Sequence, residues 1–335
     1  MSKIIEFPHS ADRRAALRVL ALTAASWWGA GAQAKAQSDA APLQQLRIGF
    51  QKGSISLVLT KSLGLLEERF PEAKVSWIEF PAGPQLLEAL AVGSVDLGAT
   101  GDSPPVFAQA AGKDVVYVGA EPPKPDSSAL LVKPDSPLKT LADLKGRRVA
   151  LQKGSSAHFQ LVQAVKKGGL QWSDIQPVYL APADARAAFE RGSVDAWVIW
   201  DPYYAAAEID GNVRVLATSR GLSSNNSFYL ASRKLAGNEA ALRAIFVALT
   251  EADGYLQKNR KEAAERFAQF SGLGLATVHR VLERRPPSPV GPLTPALIND
   301  QQQVADAFTQ LGLIPKAPQV AEIVWRPGQV VAALK

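Results

Sequence analysis

Two spacings of apolar positions alternate along the chain. Runs such as Leu46 to Phe50 and Arg148 to Leu151 have the length and apolar density of short buried strands. Between them, positions such as Leu57, the Lys61 stem and Leu65, or Phe159, Val162 and Val165, recur at helical spacing. Read in order, the pattern predicts one series twice. A strand runs into Gln-Lys-Gly-Ser and a helix, and Gly-Ser suits a tight strand-to-helix turn with an N-cap. A second strand follows (Lys74 to Phe80; Gln176 to Leu180), then a short helix (Pro84 to Leu90; Ala183 to Glu190) closed by Gly93 or Gly192. A third strand (Val95 to Ala99; Ala196 to Trp200) ends at an aspartate and a helix-starting proline, Asp102-Ser103-Pro104 and Asp201-Pro202. This β-α-β-α-β order predicts a mostly parallel sheet in each half.

The halves also match residue by residue. Arg47-Ile-Gly-Phe-Gln-Lys-Gly-Ser54 answers Arg148-Val-Ala-Leu-Gln-Lys-Gly-Ser155, and Pro81-Ala82 answers Pro182-Ala183, both at an offset of 101. Gly93-Ser-Val-Asp96 answers Gly192-Ser-Val-Asp195, and Asp102 answers Asp201, both at 99. Matches in one order at a nearly constant offset point to two copies of one structural unit. Ligands of open α/β sheets sit beyond the carboxyl ends of the strands. Two such lobes facing each other would bring four helix starts, near Ser54, Ser103, Ser155 and Tyr203, to one cleft. Their free N–H groups and positive dipole ends would form an anion site without any arginine.

Glu121-Pro-Pro-Lys-Pro125 interrupts regular structure before a strand-like Ser128 to Val132, the expected first crossing between lobes. Leu138 to Leu144 then opens the second lobe, with Thr140 as a cap. The return crossing is expected at Ser223-Ser-Asn-Asn-Ser-Phe-Tyr-Leu230. Beyond Asn238 the pattern is helical over Glu239 to Gln257, Lys261 to Phe270, Ala276 to Arg284 and Pro295 to Leu311, and these helices are expected to pack on the first lobe. Arg284-Arg285 reads as a solvated helix end in preference to a docking patch. The predicted organisation is a leader over 1–36, a first lobe over 44–127 and 229–335, and a second over 128–228.

Composition narrows the chemistry. With 47% hydrophobic and 20% charged residues the chain reads as globular. It has no cysteine, which removes disulfides, thiolate zinc sites, iron–sulfur clusters and cysteine nucleophiles. His9, His158 and His279 form no metal-ligand spacing, so neither metal nor cofactor is expected. Lys3, Arg13, Arg14 and Arg18 precede or punctuate an apolar stretch from Ala15 to Ala32, and small-residue sites follow at Ala32-Gln33-Ala34 and Ala34-Lys35-Ala36, as in an export signal. Arg13-Arg14 leaves both the twin-arginine and the general export routes open. Arg18 leaves an uncharged run too short for the roughly 18 residues of a membrane span. Cleavage after Ala36 would leave 32 basic against 29 acidic residues, a net +3. The basic residues are scattered, with no stripe interleaved with aromatics, which gives no case for nucleic acid.

The strings Ile48-Gly-Phe-Gln-Lys-Gly-Ser54, Phe80-Pro-Ala-Gly-Pro84, Thr100-Gly-Asp102, Glu121-Pro-Pro-Lys124, Gln152-Lys-Gly-Ser-Ser-Ala-His158, Pro182-Ala-Asp-Ala-Arg-Ala-Ala-Phe189 and Trp200-Asp-Pro-Tyr-Tyr204 resemble the periplasmic aliphatic sulfonate-binding proteins of bacterial ABC importers. The likeness runs from about Leu46 to the C-terminus, includes the Arg285-Pro-Pro287 turn and departs at Asn225-Asn226. It implies a periplasmic-binding-protein-like α/β fold: two mostly parallel α/β lobes joined by two hinge strands and closing over a sulfonate head group. It also implies a periplasmic monomer that serves an ABC permease and its ATPase subunits in sulfur acquisition. Neighbouring branches take taurine, nitrate or thiamine-precursor pyrimidines. An enzyme on the same scaffold is the minor alternative, and an export signal argues against it.

A sulfonate keeps one negative charge and three tetrahedral oxygens, so it needs several donors and no proton partner. Backbone N–H groups of Gly53, Ser54, Ile55, Gly154, Ser155 and Ser156, with the hydroxyls of Ser54, Ser155 and Ser156, fit that need. The amides of Gln51 and Gln152 are further candidate donors, and so is His158 in the first turn of its helix. Thr100 offers a hydroxyl and Gly101 a close backbone approach. A carboxylate beside a sulfonate would repel it, so Asp102 and Asp201 are expected to cap helices, Asp201 holding the Trp200 to Tyr203 loop. Glu121 either orients the hinge or meets a cationic part of an amino-sulfonate. Trp200, Tyr203 and Phe228 are candidates to wall the organic tail, whereas Trp197 and Phe189 read as core.

Overall fold

The computed structural model describes residues 43–328. Its first unit runs β1 (Gln45–Phe50), α1 (Ile55–Ser62), α2 (Leu65–Arg69), β2 (Lys74–Glu79), α3 (Gly83–Ala91), β3 (Leu97–Gly101), α4 (Ser103–Ala110) and β4 (Val116–Glu121). The second runs β5 (Ser128–Val132), β6 (Arg148–Leu151), α5 (Ser156–Lys167), β7 (Gln176–Tyr179), α6 (Pro182–Glu190), β8 (Ala196–Trp200), α7 (Tyr203–Ile209) and β9 (Arg214–Thr218). The chain returns through β10 (Ser227–Ala231) and continues into α8 (Arg233–Ala236), α9 (Glu239–Lys258), α10 (Arg260–Ser271), α11 (Leu275–Arg284) and α12 (Pro295–Gln310). The expected leader and residues 329–335 of the expected first lobe lie outside the described residues.

The duplication reappears in the hydrogen bonding. One sheet has the order β2-β1-β3-β10-β4 and the other β7-β6-β8-β5-β9. β1 pairs in parallel with β2 and β3, as β6 does with β7 and β8. Position four of each sheet is filled by the strand that has just crossed over, and β10 and β5 pair antiparallel on both sides. The sheets are therefore mixed, because a strand arriving from the other lobe enters from the opposite end. The repeated Arg and Asp explain why the matches persist. Asp96 accepts from the Arg47 N–H at 2.9 Å and from its guanidinium, and Asp195 accepts from the Arg148 N–H at 2.7 Å. Each pair ties the start of the first strand to the turn before the third. Gly93 and Gly192 make that turn at φ 72° in both copies, a conformation that L side chains rarely adopt.

Both faces of the inner strands are buried, which is why β1, β3, β6 and β8 read as apolar runs rather than alternating ones. Leu46, Ile48 and Phe50 pack with α1 and with Leu242, Ile245, Leu249 and Phe267 of α9 and α10. The other face carries Leu86, Leu90, Tyr117, Phe228 and Leu230. In the second sheet, Leu130, Val149 and Val198 pack on α5, while Leu131, Ala150, Trp197 and Ile199 pack on α6 and α7. Val106 of α4 and Phe308 of α12 also meet Phe159 and Val162 of α5, an apolar seam between the lobes to one side of the cleft. Thr140 and Asp143 form a capping box at the entrance to the second lobe.

Candidate functional site

The carboxyl ends of both sheets open onto one cavity of about 90 Å³. Gln51, Gly53, Ser54, Ile55, Thr100 and Gly101 line it from the first lobe, and Ser155, Ser156, Trp200 and Asp201 from the second. At roughly 10–15 Å³ for each water-sized group, it has room for a tetrahedral anion and a short tail. The two Gln-Lys-Gly-Ser corners thus face a common space. The helix starts contribute unequally. Pro104 and Pro105 remove donors from the first turn of α4, and Tyr203 at the start of α7 is not among the lining residues.

Identical corners carry different hydrogen bonds. In the first, the Ser54 N–H donates to the Gln51 carbonyl at 2.8 Å, and the Ser54 hydroxyl accepts from the Gln51 N–H at 3.3 Å. The Ser54 O–H is thereby left for the cavity. The Ile55 N–H is spent on the Gly53 carbonyl at 3.0 Å. In the second corner, Gly154 sits at φ 72° and donates its N–H to His158 Nδ1 at 3.2 Å. There the Ser155 hydroxyl donates to the Gln152 carbonyl at 2.8 Å, so its proton is already used. Thr100 is buried, and its Oγ1 has no partner among the described residues.

Charge enters from Glu121, a sequence candidate, and from Arg285 and Lys124, which sequence reasoning did not place here. Arg285, 7% exposed, lines the cavity with Lys124 and Glu121. Glu121 Oε1 accepts from the Ser56 and Tyr229 hydroxyls at 3.0 Å and from Arg285 Nη2 at 3.3 Å. Its Oε2 accepts from Lys124 Nζ at 2.6 Å and Arg285 Nη1 at 3.4 Å. Burial alone would push this carboxyl up, but Arg285 and Lys124 outweigh it and hold it well below the ordinary carboxylate range. Burial lowers Lys124 against the opposing pull of Glu121, so Arg285 is the cation that this cluster offers the cavity. Arg285 Nε has no partner among the described residues, and its Nη2 also donates to Ser56 Oγ at 2.9 Å. The expected anion site without arginine is therefore corrected, because Arg285 is a buried cleft residue rather than a solvated helix end.

Arg284 is also far from solvated. Its side chain reaches the second lobe, pairing with Asp201 at 3.3 Å and with Glu208, and its guanidinium lies 3.7 Å from the centre of the Tyr204 ring. Asp201 accepts from the Ala205 N–H at 3.0 Å, the capping contact expected of it. Burial pushes Asp201 up to about 7 against the opposing pull of Arg284.

Several expected contacts sit off the cavity. His158 is fully buried among Phe107, Trp172, Tyr179 and Phe308, and it staples its own corner through Nδ1. Burial and Lys153 hold it down at about 3, so it is neutral. Gly154 and Gln152 belong to that turn. Phe228 packs edge-on against Tyr117 in the sheet core, and Tyr203 stands edge-on behind Trp200, so Trp200 alone of the three aromatics lines the cavity. Asp102 lies outside the lining and does not cap α4 with its side chain. Burial pushes it up to about 6 despite hydrogen bonds from Ser103 and Ser156. The Gln51 amide is engaged with the Ala99 carbonyl at 3.1 Å. Gly53 is sterically required, since a Cβ there would lie 2.6 Å from the Asp201 carbonyl oxygen, whereas one on Gly101 would displace the Ser156 hydroxyl.

Comparison with known proteins gives consistent matches. The NMT1/THI5-like family model matches residues 74–263. An aliphatic sulfonates-binding protein of Escherichia coli K12 is 52% identical over 288 residues, 86% of this chain and 90% of that protein. The solved alkanesulfonate-binding protein of Xanthomonas axonopodis pv. citri, bound to MOPS, superposes with a TM-score of 0.83 at 52% identity, covering 86% of this chain and 100% of that one. The periplasmic aliphatic sulphonate-binding protein of Escherichia coli gives 0.78 at 52% identity, covering 84% and 97%.

Proposed function

The chain belongs to the NMT1/THI5-like family and, within it, to the aliphatic sulfonates-binding proteins, and on that premise we propose that it is the periplasmic solute-binding component of an ABC importer that captures aliphatic sulfonates. The observation that carries this reading is the convergence of the first corner, Thr100 and the Arg285 cluster on a cavity that the second lobe closes. A monoanion with three oxygens suits the buried Arg285 guanidinium together with the Ser54 and Thr100 hydroxyls. Hinge motion about the crossings at 122–127 and 219–226 traps the ligand, and the closed monomer presents it to a membrane permease driven by separate ATPase subunits. The expected leader directs export. Turnover is not part of this reading, because the relatives at 52% identity are binding proteins. Composition adds support. The sole methionine is Met1 and there is no cysteine, so the chain after leader removal contains no sulfur, as suits a protein made when sulfur is scarce.

Calorimetric titration of the leader-free protein with methane-, ethane- and longer alkanesulfonates tests the proposal. Saturable binding of at least one, in preference to nitrate, is expected. Heat with nitrate or a pyrimidine alone would replace the ligand assignment.

A further inference from the structure

Adjacent arginines at the end of α11 point to different lobes. Val278, Val281 and Leu282 anchor this helix in the core of the first lobe. Arg285 turns into the cavity toward Ser56 and Glu121. Arg284 leaves the first lobe altogether. One guanidinium nitrogen meets Asp201 at the end of β8, another meets Glu208 on α7, and the plane covers Tyr204, leaving the side chain 12% exposed. Every one of these partners belongs to the second lobe, so the whole set separates when the cleft opens. No other residue of α11 makes an ion pair to the second lobe among the described residues.

We infer that Arg284 is a closure latch, a positioning residue that sets how long the cleft stays shut without touching the ligand. A fork shared by two carboxylates and stacked on a ring is a geometry that lysine cannot reproduce. Contacts completed only after the lobes meet slow dissociation and leave encounter unchanged. Because Arg284 and Arg285 are consecutive on one rigid helix end, seating an anion against Arg285 and gripping the second lobe through Arg284 reinforce each other. The inference rests on the capture reading above, but it is tested separately from ligand identity.

The experiment uses the leader-free protein and ethanesulfonate, with intrinsic tryptophan fluorescence, to which the cavity-lining Trp200 contributes, as the stopped-flow signal. Arg284→Met is expected to raise the dissociation rate at least tenfold with the association rate changed less than twofold. Arg284→Lys should fall between it and the wild type, and Arg284→Met should lose its effect in an Asp201→Asn/Glu208→Gln background. Circular dichroism and melting of the unliganded variant establish that it folds. Because the chain is free of cysteine, spin labels at Glu79→Cys and Lys153→Cys report the lobe separation directly. Arg284→Met is expected to lower the short-distance population, with and without ethanesulfonate. Failure of ethanesulfonate to bind even the wild type would count against the capture reading, and the unliganded distance distribution would then decide the latch. An unchanged dissociation rate, a loss confined to association, or identical distance distributions in wild type and variant would overturn it.

Discussion

The two corners spell Gln-Lys-Gly-Ser alike, yet they make different turns and leave different donors. In the first, Gly53 stays outside the left-handed region and the Ser54 hydroxyl accepts, keeping its proton for the cavity. In the second, Gly154 adopts φ 72°, His158 holds its N–H and the Ser155 hydroxyl donates backward. The difference begins just after the shared string, where Ile55-Ser56-Leu57 faces Ser156-Ala157-His158. Ser56 carries the first corner to Glu121 and Arg285, whereas His158 turns the second corner in on itself. A duplicated motif thus preserves the backbone path while its neighbours assign the work. On the proposed function, the first lobe would hold the anion and the second would cover it.

That asymmetry is open to attack by substitution. The largest effect is expected from Arg285→Met, which keeps the stem and removes the charge. Alkanesulfonate affinity should fall about 100-fold or more, the scale of losing one partner of a buried charged contact, as read by calorimetry. Glycine substitutions should then separate the corners by kind of damage. Gly53→Ala places a methyl against the Asp201 carbonyl, so closure suffers and affinity drops about tenfold with the melting temperature held, on the usual cost of overpacking. Gly154→Ala meets only Phe107 at 3.5 Å but must adopt a positive φ, so it should cost about 1–2 kcal/mol of stability in a denaturant titration. Serine substitutions follow. Ser54→Ala removes a hydroxyl free to donate to the ligand and should weaken binding about fivefold, a net hydrogen bond of about 1 kcal/mol. Ser155→Ala should weaken it less than twofold.

A drift with pH compares the duplicated aspartates. Asp201 rises to about 7 and Asp102 to about 6 on burial, both above the usual 3.8. Folding therefore takes up protons, and the associated stability is complete below about pH 4 and lost as pH rises through each folded value. Asp201→Asn, which lacks this loss, should gain about 1 kcal/mol relative to the wild type between pH 6 and 8, with Asp102→Asn showing its gain one unit lower. Differences parallel across all pH would show that neither carboxyl is shifted.

Local pattern made the duplication, the succession of strands and helices and the C-terminal helices legible, because apolar spacing and turn residues act over a few positions. The mixed sheets were not, since β5 and β10 are placed by pairing with strands far away in sequence. The charged side of the cavity was hidden for the same reason. Arg285 lies 164 positions from Glu121, at a helix end where arginines usually face water. Its nearest sequence signal was the Arg285-Pro-Pro287 turn, which ends the helix and aims the side chain inward. His158 misled in the opposite sense, because a helix first turn beside Gly-Ser-Ser suits a ligand contact and an internal staple equally well.

The leader-free chain contains no sulfur, so a long-wavelength anomalous map of its ethanesulfonate complex would show the ligand sulfur alone. A single peak in the shared cavity, beside Arg285, Thr100 and the Ser54 to Ser56 turn, is the predicted result. A peak held by second-lobe groups only, or lying outside the cavity, would contradict the account.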